Sequence, residues 1–116
     1  MAERERLICA ASDLAELGRG VRFELESRGQ PLAAFVVRFD GQPRAFLNQC
    51  GHVPVELDWQ EGEFFDDSRL YLICSTHGAL YHPASGQCVG GRCAGRGLIP
   101  VPVVERDGHV YLLETA

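Results

Sequence analysis

Four residues that can bind a transition metal lie in two short segments of the sequence. Cys50 and His52 form a Cys-x-His motif, and after 21 intervening residues Cys74 and His77 form a Cys-x-x-His motif. Each segment offers one thiolate and one imidazole, ligands that suit iron or zinc and suit magnesium or calcium poorly. The sequence therefore predicts a transition-metal site in which all four residues are ligands.

The order of these ligands indicates a site with two different metal positions. A Cys2His2 zinc finger usually groups its two cysteines in one half and its two histidines in the other. Here each half is mixed. If the two segments form loops that fold together, the cysteines can meet at one metal and the histidines at the other. That is the ligand pattern of a [2Fe-2S] cluster in which two His replace two Cys on one iron.

These motifs and several flanking residues resemble those of the Rieske iron-sulfur family. The shared features after the second motif are Gly78, Tyr81, the turn 83–86 and the segments 98–103 and 107–111. The resemblance spans nearly the whole chain and implies one Rieske [2Fe-2S] cluster. It implies that Cys50 and Cys74 bind the buried iron and that His52 and His77 bind the outer iron near the surface. A structural zinc site is the alternative.

The sequence departs from the high-potential branch of this family. By resemblance, that branch has a hydroxyl donor at the position of Ala79, a second donor at the position of Tyr81, and a disulfide between the positions of Val55 and Thr76. Tyr81 is the one feature present. The resemblance therefore implies a low-potential, ferredoxin-like protein.

Alternating hydrophobicity and turn residues predict an all-β fold with antiparallel sheets. Asp40-Gly41 between two apolar runs predicts a hairpin, and Pro100 and Pro102 predict a strand that starts late or lies at an edge. A single helical turn or a loop is expected within 13–18. The predicted strands are 7–10, 21–25, 33–39, 44–48, 70–73, 79–81, 87–89, 99–104 and 109–113. The resemblance implies a small sandwich or barrel-like base with a cluster-binding subdomain, whose loops lie within about 48–82.

Length and composition predict one soluble domain over residues 1–116. The formal charge is −5, and all eleven basic residues are Arg without forming a basic stripe, which argues against nucleic-acid binding. No apolar run approaches the roughly 20 residues that cross a bilayer, and the N-terminus does not resemble a signal peptide. We expect a cytoplasmic monomer that does not bind membranes.

Three of the five cysteines are not predicted ligands. Cys9 lies in an apolar run and is expected to act as a small buried hydrophobic residue. Cys88 and Cys93 bracket four residues and are expected to be free thiols, with a disulfide or a further ligand set as alternatives. His82 and His109 match no ligand position and are expected to be ordinary strand or loop residues.

The spacer between the two motifs is longer than is usual in the family and is strongly acidic. One interpretation is a solvated loop, and the other is an acidic docking surface beside the outer iron. Trp59, Phe64 and Phe65 are expected to pack the spacer onto the domain. Its charged residues are Glu56, Asp58, Glu61, Glu63, Asp66 and Asp67, with Arg69 as the basic one.

The predicted cluster implies electron transfer and not catalysis. A Rieske oxygenase needs a separate mononuclear iron site with two His and one carboxylate, for which we expect no room in this chain. The resemblance implies a one-electron ferredoxin that passes electrons from a flavin reductase to a terminal ring-hydroxylating oxygenase. A Rieske subunit of a multi-subunit reductase such as nitrite reductase, and a zinc-stabilised binding module, remain alternatives.

Overall fold

The computed structural model describes residues 3–27, 29–49, 56–58, 60–74, 78–91 and 97–115, and it confirms the predicted all-β fold. These residues form antiparallel sheets and one 3-10 turn, Ala11–Asp13, within the described part of the chain. No helix among them is long and apolar enough to cross a membrane. The strands are β1 Glu3–Ala10, β2 Val21–Ser27, β3 Gln30–Phe39, β4 Gln42–Leu47, β5 Leu72–Ile73, β6 Leu80–Tyr81, β7 Cys88–Gly90, β8 Pro100–Val101, β9 Val103–Arg106 and β10 His109–Thr115.

The four-stranded sheet has the order β2-β3-β4-β8 and contains the predicted hairpin. Phe39 pairs with Gln42, so the turn consists of Asp40 and Gly41 alone. Both turn residues have positive φ, 56° and 73°. This is the backbone that a two-residue type I′ turn requires, and Asp-Gly adopts it at low cost. The local sequence therefore sets the register of β3 against β4.

A three-stranded sheet has the order β1-β10-β9. The single strand expected over 99–104 is wrong, because Pro102 separates β8 from β9 and the two strands join different sheets. Proline cannot donate to a ladder, although the carbonyl of Pro102 still accepts the N–H of Leu113 at 3.0 Å. Both β8 and β9 lie at sheet edges, as the prolines predicted.

The third sheet, with the order β5-β6-β7, is built from strands of two or three residues. The strand predicted over 70–73 is shorter than expected, because Tyr71 instead accepts a hydrogen bond from the N–H of Asp66 at 2.9 Å. Phe65 forms a β-bridge with Leu72, and the carbonyl of Phe64 accepts the N–H of Ile73 at 2.9 Å. The end of the spacer therefore runs alongside β5 and extends this small sheet.

Strand β3 separates two hydrophobic cores. Phe35 and Val37 point into one core, and Ala34 and Val36 point into the other. All four side chains are fully buried. Because successive side chains of a strand point to opposite faces, the four-stranded sheet is covered on both sides. The β1-β10-β9 sheet contributes to the core of Ala34, and the β5-β6-β7 sheet contributes to the core of Phe35.

The aromatic residues of the spacer anchor it to the four-stranded sheet. The ring of Phe64 stacks on that of Phe35, with centroids 3.9 Å apart and an interplanar angle of 12°. Phe64 is fully buried and Phe65 is nearly so, which confirms their predicted packing. Trp59 lies outside the described residues. The spacer is thus part of the core on the β5-β6-β7 side.

Candidate metal centre

Cys74 follows β5 directly, and its thiol points into the core on the β5-β6-β7 side. Its side chain is fully buried together with Leu72, Ala79 and Tyr81, and it is not in a disulfide. A thiol held at a strand end and shielded from water suits a thiolate ligand of a buried iron. The burial of Cys74 is compatible with the inner-iron position that the resemblance implied, and this assignment stays a prediction.

Backbone hydrogen bonds join Cys74 to Gly78 and Ala79. Its N–H donates to the carbonyl of Ala79 at 2.9 Å, and its carbonyl accepts the N–H of Gly78 at 2.7 Å. Gly91 packs against Gly78 and Ala79 so closely that a Cβ atom at position 91 would lie 2.7 Å from both the Gly78 oxygen and the Ala79 Cα. Gly91 also has a φ of +79°. The end of β7 thus supports the base of the second motif.

The other predicted ligands, Cys50, His52 and His77, lie outside the described residues. So do Val55 and Thr76, the positions of the disulfide in the high-potential branch. Among the described residues no three His, Cys, Asp or Glu side chains form a metal-binding group, and three of the four predicted ligands do not belong to these residues. The described part of the site therefore consists of Cys74 and of the residues flanking the two motifs.

Ala79 and Tyr81 occupy the two positions at which, by resemblance, the high-potential branch has hydroxyl donors. Both are fully buried in the same core as Cys74. The Tyr81 strand pairs with β5 on one side and β7 on the other. A methyl group at position 79 cannot donate a hydrogen bond, so this side of the site has one hydroxyl fewer than the high-potential pattern.

The remaining cysteines differ from one another. Cys88 is disulfide-bonded, so the expectation of a free thiol at this position is wrong. Composition does not determine which sulfur atoms a fold brings within bonding distance. Cys93 lies outside the described residues. Cys9 is a half-buried thiol packed on the core of Ala34, and burial, with a smaller contribution from the charge of Asp13, raises its pKa to about 11.

The two histidines outside the motifs lie at turns. His82 is exposed, and its Nδ1 accepts the N–H of Ala84 at 3.1 Å. His109 is exposed beside the β9-β10 turn, with Nδ1 3.0 Å from the carbonyl oxygen of Asp107. Each ring therefore has a local backbone partner of the kind expected for an ordinary turn residue.

A buried polar group beside the first motif was missed from the sequence. Asn48 is 1% exposed, and its side chain bonds to Leu57 and Asp58. The Asp58 carboxylate is fully buried and lies 3.6 Å from Nε of Arg22. The only hint in the sequence was the position of Asn48, an amide between an apolar strand and Cys50. That position does not identify the residues to which the amide bonds.

The acidic residues of the spacer do not share one environment. Asp58 and Asp66 accept hydrogen bonds from backbone N–H groups within the domain. Glu56 accepts from Nη2 of Arg22 at 2.6 Å. Burial alone would lower the pKa of Arg22, but the charges of Asp58, Glu56 and Glu61 and the Glu56 hydrogen bond raise it. Asp58, Asp66 and Glu56 therefore have structural roles. The sequence suggested only a solvated loop or a docking surface and did not predict these roles.

A groove of about 730 Å³ lies between the spacer and the third sheet. Phe65, Ile73 and Leu80 supply apolar lining, and the groove reaches Gly78 beside the second motif. Its other lining residues are Gln60, Glu63, Asp66, Asp67 and Arg69. Three carboxylates against one guanidinium give the rim a net negative charge.

Comparisons with known proteins agree with this fold. The Rieske [2Fe-2S] domain family matches residues 5–106. No curated protein matches the chain.

Several solved structures share the fold. The ferredoxin of carbazole 1,9a-dioxygenase from Nocardioides aromaticivorans IC177 has a TM-score of 0.70 at 19% identity, covering 96% of this chain and 98% of that one. Sphingomonas yanoikuyae B1 ferredoxin has a TM-score of 0.69 at 20% identity, covering 97% and 100%. A chain in a complex of reduced oxygenase and oxidized ferredoxin in carbazole 1,9a-dioxygenase has a TM-score of 0.73 at 23% identity, covering 97% and 95%. The chain belongs to the Rieske [2Fe-2S] domain family, and its cofactor is a Rieske-type [2Fe-2S] cluster rather than a lone zinc ion.

Proposed function

We propose that this protein is a one-electron carrier whose cluster is held by Cys50, His52, Cys74 and His77. The observation that carries the proposal is the family match over residues 5–106, joined to the buried thiol of Cys74. A bound Rieske cluster takes up and releases single electrons at a potential of roughly −150 to +300 mV. Cys50 and Cys74 bind the inner iron in this proposal, and His52 and His77 bind the outer iron.

The chain's own residues hold Cys74 in place. Two backbone hydrogen bonds join Cys74 to Gly78 and Ala79. Leu72 and Tyr81 exclude water from the sulfur because they are fully buried around it. A ligand fixed in this way moves little when the charge of the metal changes, which favours rapid electron transfer.

Buried residues near Cys74 favour the lower part of the Rieske range. Hydrogen bonds to the sulfurs tune the potential of such clusters. Ala79 is fully buried and carries no hydroxyl, so one donor of the high-potential pattern is missing. The protein is therefore proposed as a ferredoxin-like carrier and not as a quinol-oxidising subunit.

The proposed partners are redox proteins, namely a flavin reductase as donor and a terminal ring-hydroxylating oxygenase as acceptor. Two of the structures with this fold are ferredoxins, and a third comes from a complex of an oxygenase with a ferredoxin. The chain itself transforms no substrate in this proposal. We propose that residues 1–116 act as one domain, in a monomeric cytoplasmic protein that binds neither nucleic acid nor membrane.

The acidic groove is the proposed site of first encounter with a basic partner surface. Glu61 is 75% exposed, and Glu63 and Asp67 line the groove that reaches Gly78. Long-range attraction between opposite charges raises association rates more than affinity. A partner guided to this rim would meet the protein beside the second ligand motif.

The direct test is a metal and acid-labile sulfide assay on the purified protein. Two irons and two sulfides per chain, with a red-brown colour and a reduced-state signal at low average g, are the expected result. One zinc per chain without sulfide would overturn the proposal. Reduction by a flavin reductase and passage of the electron to an oxygenase then test the carrier role. Stable co-purification with a larger reductase would favour the subunit alternative.

A further inference from the structure

Asn48 is buried, and its side chain bonds to the segment that follows the first ligand motif. Its Oδ1 accepts the N–H of Leu57 at 2.9 Å, and its Nδ2 donates to Oδ1 of Asp58 at 3.1 Å. The orientation of the amide is unambiguous, since a backbone N–H can only donate and a carboxylate can only accept. Only this orientation of the Asn48 amide can bond to the Leu57 N–H and the Asp58 carboxylate at the same time.

Asp58 extends this connection to the rest of the domain. Its side chain is fully buried, and its second oxygen accepts the N–H of Gly62 at 3.0 Å. Nε of Arg22 lies 3.6 Å from the same oxygen. A buried carboxylate is costly unless it is paired and hydrogen-bonded. We call these five residues, Asn48, Leu57, Asp58, Gly62 and Arg22, the clasp.

The clasp lies at the two ends of the first ligand segment. Asn48 precedes Cys50 by two residues and Leu57 follows His52 by five, so eight residues, 49–56, lie between the bonded positions. The N–H of Asn48 also donates to the carbonyl of Ala33 at 2.8 Å, which ties this end to β3. Closing a segment of this length costs chain entropy, and the clasp offsets that cost with contacts that involve no metal.

We propose that Asn48 and Asp58 are positioning residues that hold the ends of the first ligand segment and thereby slow the release of the cluster. The inference rests on the proposed function, in which Cys50 and His52 are ligands. Neither clasp residue touches the metal in this proposal. Their effect is to keep the segment closed, so that a ligand that dissociates rebinds before the cluster is lost.

Exchanging the two side chains tests this pairing directly. Asn48→Asp alone places two carboxylates against each other, and Asp58→Asn alone forces an amide to present N–H groups to another donor. The double variant Asn48→Asp with Asp58→Asn matches donors to acceptors again in these hydrogen bonds, and Arg22 then faces an amide oxygen because the negative charge has moved to position 48. The carboxylate at position 48 would then accept from Leu57, and the amide at position 58 would donate to that carboxylate and accept from Gly62. Gln42→Glu is the matched control, because it makes the same amide-to-carboxylate change at an exposed residue at the start of β4, outside both the clasp and the acidic groove.

The main readout is the rate at which the loaded protein bleaches in the presence of an iron chelator. Each single variant is expected to lose the cluster about tenfold faster than the wild type, because each leaves a buried polar group without a partner. The double variant is expected to return to within about threefold of the wild type. The low-average-g signal should be altered in the single variants and restored in the double. Gln42→Glu should behave as wild type.

Hydrogen exchange supplies a second readout that does not need the cluster. The N–H groups of Leu57 and Gly62 should exchange slowly in the wild type and in the double variant, and quickly in the single variants. Protection of β10 reports whether each variant is folded. If a single variant fails to fold, recovery of folding in the double supports the proposal. Additive losses in the double variant, or unprotected Leu57 and Gly62 in the wild type, would overturn it.

The two proposals fail in different ways. A wild type without iron and sulfide overturns the carrier function, and the exchange measurements on the metal-free chain then decide whether the clasp exists. A wild type that holds the cluster, with every variant bleaching at the same rate, overturns the role of the clasp and leaves the carrier function standing.

Discussion

The base of the molecule and the ligand region hold their shape by different means. The base consists of the β2-β3-β4-β8 and β1-β10-β9 sheets, with strands of up to ten residues. The ligand region consists of the β5-β6-β7 sheet and residues 56–71, and its strands have two or three residues. Long hydrogen-bonded ladders stabilise the base. In the ligand region buried aromatic side chains and side-chain hydrogen bonds replace most of the ladder.

The comparison shows where the two ligand motifs are attached. The first motif follows β4 of the base, and the second follows β5 of the ligand region. Phe64 and Asn48 each connect the two regions, one by stacking on Phe35 and the other by bonding to residues 57 and 58. The metal site is therefore expected to be the most sensitive to changes in the ligand region, and the base should tolerate loss of the cluster.

Removing a ligand should give the largest difference between the two regions, because the metal site is lost while the base stays folded. Cys74→Ala is expected to abolish bound iron and sulfide, because no other group replaces the buried thiolate. The base should keep the protection of its β10 amides against hydrogen exchange. Cys9→Ala, which removes a thiol of the base, should keep the full metal content. Full iron and sulfide in Cys74→Ala would refute the assignment of this ligand.

Truncating Phe64 should weaken the ligand region before the base. Phe64→Ala removes a fully buried stacked ring, a change that costs about 3–5 kcal/mol. Hydrogen exchange should show lost protection at Ile73, whose N–H donates to Phe64, with β10 affected less. Leu112→Ala in the base is the matched control and should show the opposite order. Equal loss at both places in both variants would mean that the two regions unfold as one unit.

Cys9 should test the packing of the base through its pH dependence. Burial raises the pKa of its thiol from 9.0 to about 11, so at pH 8 the reactive thiolate is about 100-fold scarcer than for an ordinary cysteine. Alkylation of Cys9, followed by peptide mass analysis, should speed up about tenfold per pH unit until about pH 11. The protonated thiol stabilises the fold fully below pH 9, and that stabilisation is lost as the pH rises through 11. A rate that levels off near pH 9 would show that the base is looser here than the structure indicates.

A hydroxyl at position 79 should raise the potential of the site. Ala79→Ser adds a donor beside Cys74 in the ligand region, and hydrogen bonds to the cluster favour its reduced state. A difference of about 1 kcal/mol between the redox states corresponds to roughly 40 mV for one electron. Ala45→Ser, a nearly buried alanine of the base, should leave the midpoint unchanged. A redox titration with no rise for Ala79→Ser would count against the low-potential assignment.

Charge reversal on the spacer should have the smallest effect. Glu61→Lys and Glu63→Lys are expected to slow reduction by a cognate flavin reductase a few-fold at low salt, with the difference shrinking at high salt. Asp107→Lys makes the same charge change at the β9-β10 turn. Arg38 donates hydrogen bonds to both Glu105 and Gly41, so the β9-β10 turn lies near the Asp40-Gly41 turn. The Asp40-Gly41 turn precedes β4, whereas Asn48 and the first ligand motif follow the opposite end of that strand. If stopped-flow measurements give the same rate of reduction for all three variants, the spacer is a solvated loop and not a docking surface.

The base could be predicted from the sequence because its signals are local. Alternation in Val21–Leu25 and the Asp40-Gly41 turn each depend on neighbouring residues, and the structure confirms both strands and the turn. The prolines likewise predicted edge strands. The division of 99–104 into β8 and β9 was not predicted. The change of sheet at Pro102 depends on which distant strands lie beside each half, β4 for β8 and β10 for β9.

The ligand types and their spacing were determined by the sequence, since Cys and His at those intervals restrict the metal chemistry and identify the family. Only the tertiary structure showed that Asn48 bonds across the first ligand segment, that Asp58 is buried and Glu61 exposed, and that Cys88 is disulfide-bonded. Each of these depends on which distant residues meet after folding. A carboxylate or a thiol has the same chemistry in every sequence, and its partners and exposure to water decide what it does in the folded protein.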